Sequence, residues 1–132
     1  MTLSKGVQFM RVLVAAAAAL LIPISAFAAD DMMSATYGNT VVGKSAMFES
    51  HTHYSADHTF TASYSSAMGS MEAKGTWAIN DKGELCRTFA NPPPGSPNPL
   101  CVAWAAHKIG DTWTVPSPAG GTVAVSLVAG VQ

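Results

Sequence analysis

The sequence predicts an all-β protein: an eight-stranded antiparallel meander closed into a small barrel. Short segments rich in β-branched and aromatic residues recur at steady spacing, and Gly, Pro, Asn, Asp and Ser separate them. Beyond residue 36, no stretch of useful length repeats its apolar residues at the helical period. A closed barrel would leave no strand edge unpaired. A β-sandwich is the alternative, because inward and outward residues alternate in the same way in both architectures.

The predicted strands are the segments between these turn signals. They are Thr40–Gly43, Ala46–Tyr54, Thr59–Ala67, Ser70–Ile79, Glu84–Phe89, Leu100–Ala106, Thr112–Val115 and Thr122–Val128.

Two three-residue loops set the expected register. The loop 56–58 pairs Tyr54 with Phe60 and requires a left-handed backbone at His58, a position that glycine usually occupies. The loop 81–83 repeats this turn with glycine in place and pairs Ile79 with Leu85. Both registers gather the aromatic and aliphatic side chains on one face, which we take as the barrel interior.

The N-terminal region predicts export. Residues 1–28 combine two early basic residues, an apolar run from Val12 to Ile22, and the small-x-small cleavage pattern at residues 26–28. We therefore expect a periplasmic or secreted protein with a signal peptide at 1–28, a polar tether at 29–36 and one barrel domain at 37–132. The apolar run is too short for a transmembrane anchor, so no membrane span is expected after cleavage.

The two cysteines predict a structural disulfide. Cys86 and Cys101 are an even pair in an exported chain, and they lack the Cys-x-x-Cys spacing of redox sites. The bond would close a loop of about 15 residues, contributing roughly 3 kcal/mol of stability.

Charge and motif content exclude several functions. After residue 28 the chain has five basic and eight acidic residues, a net charge of −3 without a basic cluster. Nucleic acid and anionic membrane are therefore not expected partners. No nucleophile elbow, phosphate-binding loop or selected pair of carboxylates points to catalysis, and we expect neither an enzyme nor a cofactor.

Three segments carry a family resemblance. Residues 54–60, the Gly-Thr-Trp run 75–77 and the Gly-Glu-Leu-Cys run 83–86 resemble small exported bacterial lipocalin-like barrels, many of them uncharacterised. His58 departs from the glycine of that pattern. A weaker likeness, through eight strands, one disulfide and a tryptophan strand leading into a cysteine, is to bacterial metalloprotease inhibitors. Both resemblances imply a non-catalytic barrel.

Arg87 is the main candidate for ligand binding. The register places it inside the barrel, across from Trp77 and near Trp104, where a charge must be paired, stacked or hydrated. Stacking on indole is one solution, a side chain reaching water at the strand end is another, and an anionic ligand at the barrel mouth is a third. The predicted site consists of Arg87, Trp77, Trp104 and Tyr64, and its expected ligand is a small apolar or anionic molecule.

Two alternatives remain open from the sequence. A protein-binding module, such as a protease inhibitor, would insert the tether 29–36 or the Pro-rich loop 91–99 into its partner. A copper or zinc protein would use His51 and His53 on one strand face with Glu49, with methionines as further soft ligands. The same register places both histidines on the solvent face, where two imidazoles bind metal weakly without a third ligand.

Overall fold

A computed structural model describes residues 32–117 and 120–132. The predicted signal peptide 1–28 and residues 29–31 of the predicted tether lie outside the described residues. Within those described ranges, no helix has the length and apolar character needed to cross a bilayer.

The all-β prediction is confirmed, with eight antiparallel strands after a short 3-10 helix at Ser34–Thr36. The strands are β1 (Thr40–Lys44), β2 (Phe48–Tyr54), β3 (Thr59–Ser66), β4 (Gly69–Ile79), β5 (Glu84–Phe89), β6 (Leu100–Ala103), β7 (Thr112–Pro116) and β8 (Thr122–Val128). Their bounds lie within a few residues of the predicted ones, because turn residues punctuate the chain so regularly.

The strands form one sheet in the order β6-β5-β4-β3-β2-β1-β8-β7, which curls into a nearly closed barrel. In the described part of the chain, strand pairing does not join β6 to β7. At this seam the indoles of Trp104 and Trp113 meet edge to face at 5.5 Å between ring centroids. Side-chain packing therefore closes the barrel where backbone hydrogen bonds do not.

Both predicted hairpin registers are confirmed. Tyr54 pairs with Phe60, and His58 adopts the left-handed conformation with φ of 70°. Ile79 pairs with Leu85 through the second turn of the same kind. A one-residue slip in either hairpin would have turned the aromatic side chains to the solvent.

The predicted disulfide between Cys86 and Cys101 is present, with sulfur atoms 2.07 Å apart. The two cysteines are direct partners across β5 and β6. Their neighbours Leu85 and Val102 also pair and point inward, so the disulfide lies on the outer face.

The barrel has two different ends. We call the end formed by turns 45–47, 67–68 and 90–99 and by residues 117 and 120–121 the mouth end. The opposite end, formed by turns 55–58, 80–83 and 104–111, is the closed end, where the described N-terminal segment 32–39 also packs.

The described part of the predicted polar tether 29–36 packs against the barrel. Met33 is fully buried and Thr36 is 1% exposed. The Thr36 hydroxyl donates to the Met33 carbonyl at 2.7 Å, and the Trp104 indole donates to the Met32 carbonyl at 3.2 Å. Burying an apolar methionine against the barrel core outweighs the freedom of an exposed segment. Residues 32–36 are thus a plug for the closed end.

Candidate functional site

The barrel encloses a cavity of about 560 Å³ that reaches the surface at the mouth end. Exposed residues of the mouth end, including Met68, Met71 and Pro116, form its entrance. Most of its inner wall is apolar. The aliphatic wall residues are Val41, Leu85, Leu100, Val102, Val115, Val123 and Val125.

Arg87 supplies the charge of this cavity. Among the described residues that line the cavity it is the one charged side chain, and no carboxylate in the described ranges forms an ion pair with it. Its guanidinium carbon lies 5.4 Å from the ring centre of Phe89 and 5.9 Å from that of Phe60. Arg87 thus faces inward as predicted, and it lies over the phenyl rings of Phe60 and Phe89 rather than over indole, which was one of the three solutions considered.

Two tyrosines interact with Arg87 through charge and hydrogen bonding. Burial lowers the pKa of Arg87, but Tyr54 and Tyr64 outweigh burial, so the net direction of the pKa is upward. Burial also raises the pKa of the Tyr54 phenol. Arg87 is therefore a cation beside the neutral phenol of Tyr54.

Three of the four predicted ligand-binding residues line one cavity. Arg87, Tyr64 and Trp104 belong to it, whereas Trp77 does not. Sequence reasoning placed Tyr54 on the inner face but omitted it from the site. The sequence could have indicated Tyr54 as a site residue, because a tyrosine on the same face as an inward arginine brings a hydroxyl into a barrel interior.

Trp77 seals the closed end instead. It is 2% exposed, its indole nitrogen donates to the Ser55 carbonyl at 2.9 Å, and the His58 ring stacks on it at 4.1 Å. Tyr37 packs on it with a centroid distance of 6.3 Å. The alternation of β4 correctly predicts that Trp77 faces inward, but its ring packs on residues of the closed end and does not line the cavity.

A stacked aromatic cluster at the seam was not predicted. The His107 ring lies parallel to the Trp113 indole at 3.5 Å, and Trp104 packs edge-on against both rings. Burial lowers the pKa of His107, and Asp111, with a carboxylate oxygen 3.6 Å from Nδ1, opposes this. The cluster fills the gap between β6 and β7. The period-two alternation of the strands ends there, so it could not predict the cluster.

The candidate metal ligands lie on the outer face of β2. His51 pairs with Ser63 and His53 with Thr61, as predicted from the register that the loop 56–58 sets. His51 Nε2 donates to Glu49 Oε1 at 2.8 Å, and this hydrogen bond lowers the pKa of Glu49. The described residues contain no group of three or more His, Cys, Asp or Glu side chains arranged to hold a metal ion.

The fold and cavity define a class: a nearly closed, disulfide-bonded eight-stranded barrel whose largely apolar cavity is lined by one cationic side chain, that of Arg87. The sequence profile of the family described as "Protein of unknown function (DUF995)" matches residues 7–114, and the chain belongs to this family. No curated protein and no solved structure matches the chain.

Proposed function

We propose that this protein is an exported, non-catalytic binding protein that holds a small amphiphilic molecule with an anionic head group in the barrel cavity. The head group would bind Arg87, and the apolar part would pack against the aliphatic wall between Arg87 and the mouth end. Tyr64 and Trp104 would contact the same molecule, as would Tyr54.

The observation that supports this proposal best is the uncompensated charge of Arg87. A guanidinium has five N–H donors, and the two phenol oxygens of Tyr54 and Tyr64 cannot satisfy all of them. A charge enclosed by apolar walls is costly without a counterion. An anionic ligand supplies both the acceptors and the opposite charge, often in a two-pronged geometry with arginine.

The cavity walls favour an amphiphile over a fully polar anion. Arg87 is the single charge among the described cavity residues, and aliphatic and aromatic side chains form most of the remaining surface. A volume of about 560 Å³ is within the range of small-molecule sites. The resemblance of residues 54–60 and 75–86 to lipocalin-like barrels supports the same kind of ligand.

The test compares two ligands and two proteins. Dodecanoate and dodecanol share the alkyl chain and differ in charge, and Arg87→Met keeps an unbranched side chain while removing the guanidinium. We expect the wild type to bind dodecanoate at least about tenfold more tightly than dodecanol, since a hydrogen bond to a charged group contributes roughly 1.5–3 kcal/mol. Titration calorimetry and tryptophan fluorescence, to which the cavity residues Trp104 and Trp113 contribute, give both affinities.

The Arg87→Met protein should bind both ligands with similar affinity. A melting curve like that of the wild type shows that the variant is folded. If neither ligand binds the wild type, or if Arg87→Met binds dodecanoate as tightly as the wild type does, the proposal is wrong.

A further inference from the structure

We propose that the mouth end is a docking surface for an electrically neutral lipid bilayer. The cavity entrance would then face the lipid, and an amphiphile could pass between bilayer and cavity without crossing water. The choice of a bilayer rests on the proposed function, because molecules of the proposed ligand class dissolve in bilayers.

The two ends of the barrel differ sharply in charge. The mouth-end turns 45–47, 67–68 and 90–99 and the described residues 117 and 120–121 contain no Asp, Glu, Lys or Arg. The closed-end turns carry five charged side chains. They are Asp57, Asp81, Lys82, Lys108 and Asp111. Burying a charge in a low-dielectric medium is costly, so only the mouth end can approach hydrocarbon without that penalty.

The charges nearest to the mouth end neutralise each other. The Lys44 ammonium lies 4.0 Å from a Glu49 carboxylate oxygen, just below the turn 45–47. The next charges are Glu72, opposite Ser63 on the outer wall, and Lys74, whose carbonyl accepts from the Ala90 amide of the turn 90–99. The charges closest to the rim are thus two lysines and two glutamates, and they sum to zero.

Exposed methionines protrude from this uncharged rim. Met68, at the tip of the β3–β4 hairpin, is 96% exposed, and Met47, at the tip of the β1–β2 hairpin, is 77% exposed. Met71 is 52% exposed and lines the cavity entrance. Flexible thioether side chains at hairpin tips can enter the boundary between head groups and acyl chains.

The geometry favours a bilayer over a protein partner or a second copy. A side chain that is 96% exposed packs against almost nothing, so the methionines form separate projections at hairpin tips. Protein interfaces need a contiguous, well-packed area of about 800 Å² on each partner, with hydrogen bonds at regular intervals. Separate apolar tips can insert into a fluid bilayer, because its lipids rearrange around each of them.

The experiment measures flotation of the purified protein, expressed from the full chain, with phosphatidylcholine vesicles. Met68→Asp and Met47→Asp should each lower the partition coefficient by about tenfold or more, because each places a carboxylate at the lipid contact. The matched control is Val131→Asp, at a side chain 74% exposed near the closed end, and it should bind like the wild type. Mass spectrometry establishes whether residues 1–28 have been removed, and all variants share the same N-terminus.

Three further measurements define the mode of binding. Binding should not change between low and high salt, and adding an anionic lipid should not strengthen it, because the rim has no basic cluster. Arg87→Met should float like the wild type, so a failure of the ligand proposal and a failure of the docking proposal are distinguishable.

Three results would overturn the inference. One is a wild type that does not float, and another is an equal loss of binding with Val131→Asp and Met68→Asp. The third is a dimer, seen by analytical ultracentrifugation without vesicles, that Met68→Asp dissociates, since a second copy would then cover the mouth end.

Discussion

Replacing Met33 with alanine tests whether the N-terminal segment is part of the fold. Met33 is fully buried in the core cluster at the closed end, whereas Met68 is 96% exposed. The two substitutions remove the same three heavy atoms from the same residue type. Any difference between them therefore reports the surroundings of the side chain.

The expected loss follows from burial. Full burial of a methionine side chain stabilises a fold by about 1.5–3 kcal/mol, and truncation adds the cost of the cavity left behind. Met33→Ala should thus lower the free energy of unfolding by about 2–5 kcal/mol. Met68→Ala should stay within about 0.5 kcal/mol of the wild type. For a domain of this size, the Met33→Ala loss lowers the Tm by at least about 8 °C.

The assay is urea and thermal unfolding followed by tryptophan fluorescence on both variants and the wild type. Trp104, one of the three tryptophans, donates to the Met32 carbonyl, so the plug contributes to the emission that is followed. If Met33→Ala and Met68→Ala unfold at the same urea concentration, residues 32–36 do not pack in the core, and the predicted tether is restored.

Two more predictions concern a close approach and a half-buried histidine. Gly75→Ala would place a Cβ atom against the Thr88 carbonyl oxygen and should cost about 1–3 kcal/mol of stability. The loss should exceed that of Gly43→Ala, whose nearest neighbour is the movable Ser50 hydroxyl, and equal Tm losses would contradict this. Because the pKa of His107 is lowered in the fold, its contribution to stability is complete above the ordinary pKa near 6.5 and is lost as the pH falls from that value through the lowered pKa. The Tm of His107→Gln should therefore fall less than that of the wild type from about pH 7.5 to about pH 5, and parallel Tm profiles would argue against it.

Local rules in the sequence predict most of the barrel. The turn at 56–58 and the alternation around it define the pairing of Tyr54 with Phe60, and the strain of a non-glycine residue at His58 does not displace that register. The same rules place Arg87 inside. Both depend on residues a few positions apart, which is the range over which turn type and period-two alternation act.

The missed features depend on which neighbours a side chain reaches. Alternation tells which face a residue occupies but not what its side chain packs against, so Trp77 and Arg87 share a face and a register while only Arg87 lines the cavity. The plug was missed because residues 32–36 have no strand pattern, and Met33 is buried by contacts with distant parts of the chain. Such long-range packing has no local signature.

The pairing of the first strand with the last has a consequence for how the chain folds. Six of the seven strand pairings among the described residues join strands adjacent in sequence, and the seventh joins β1 to β8, with Thr40 opposite Val128. β8 also supplies Val123, Val125 and Leu127 to the core. Local hairpins can form early, but the barrel is incomplete until β8, which ends at residue 128, is present. Pairing β8 with β1 requires the largest loss of chain entropy. A nascent chain of this topology therefore stays open until β8 has been synthesised.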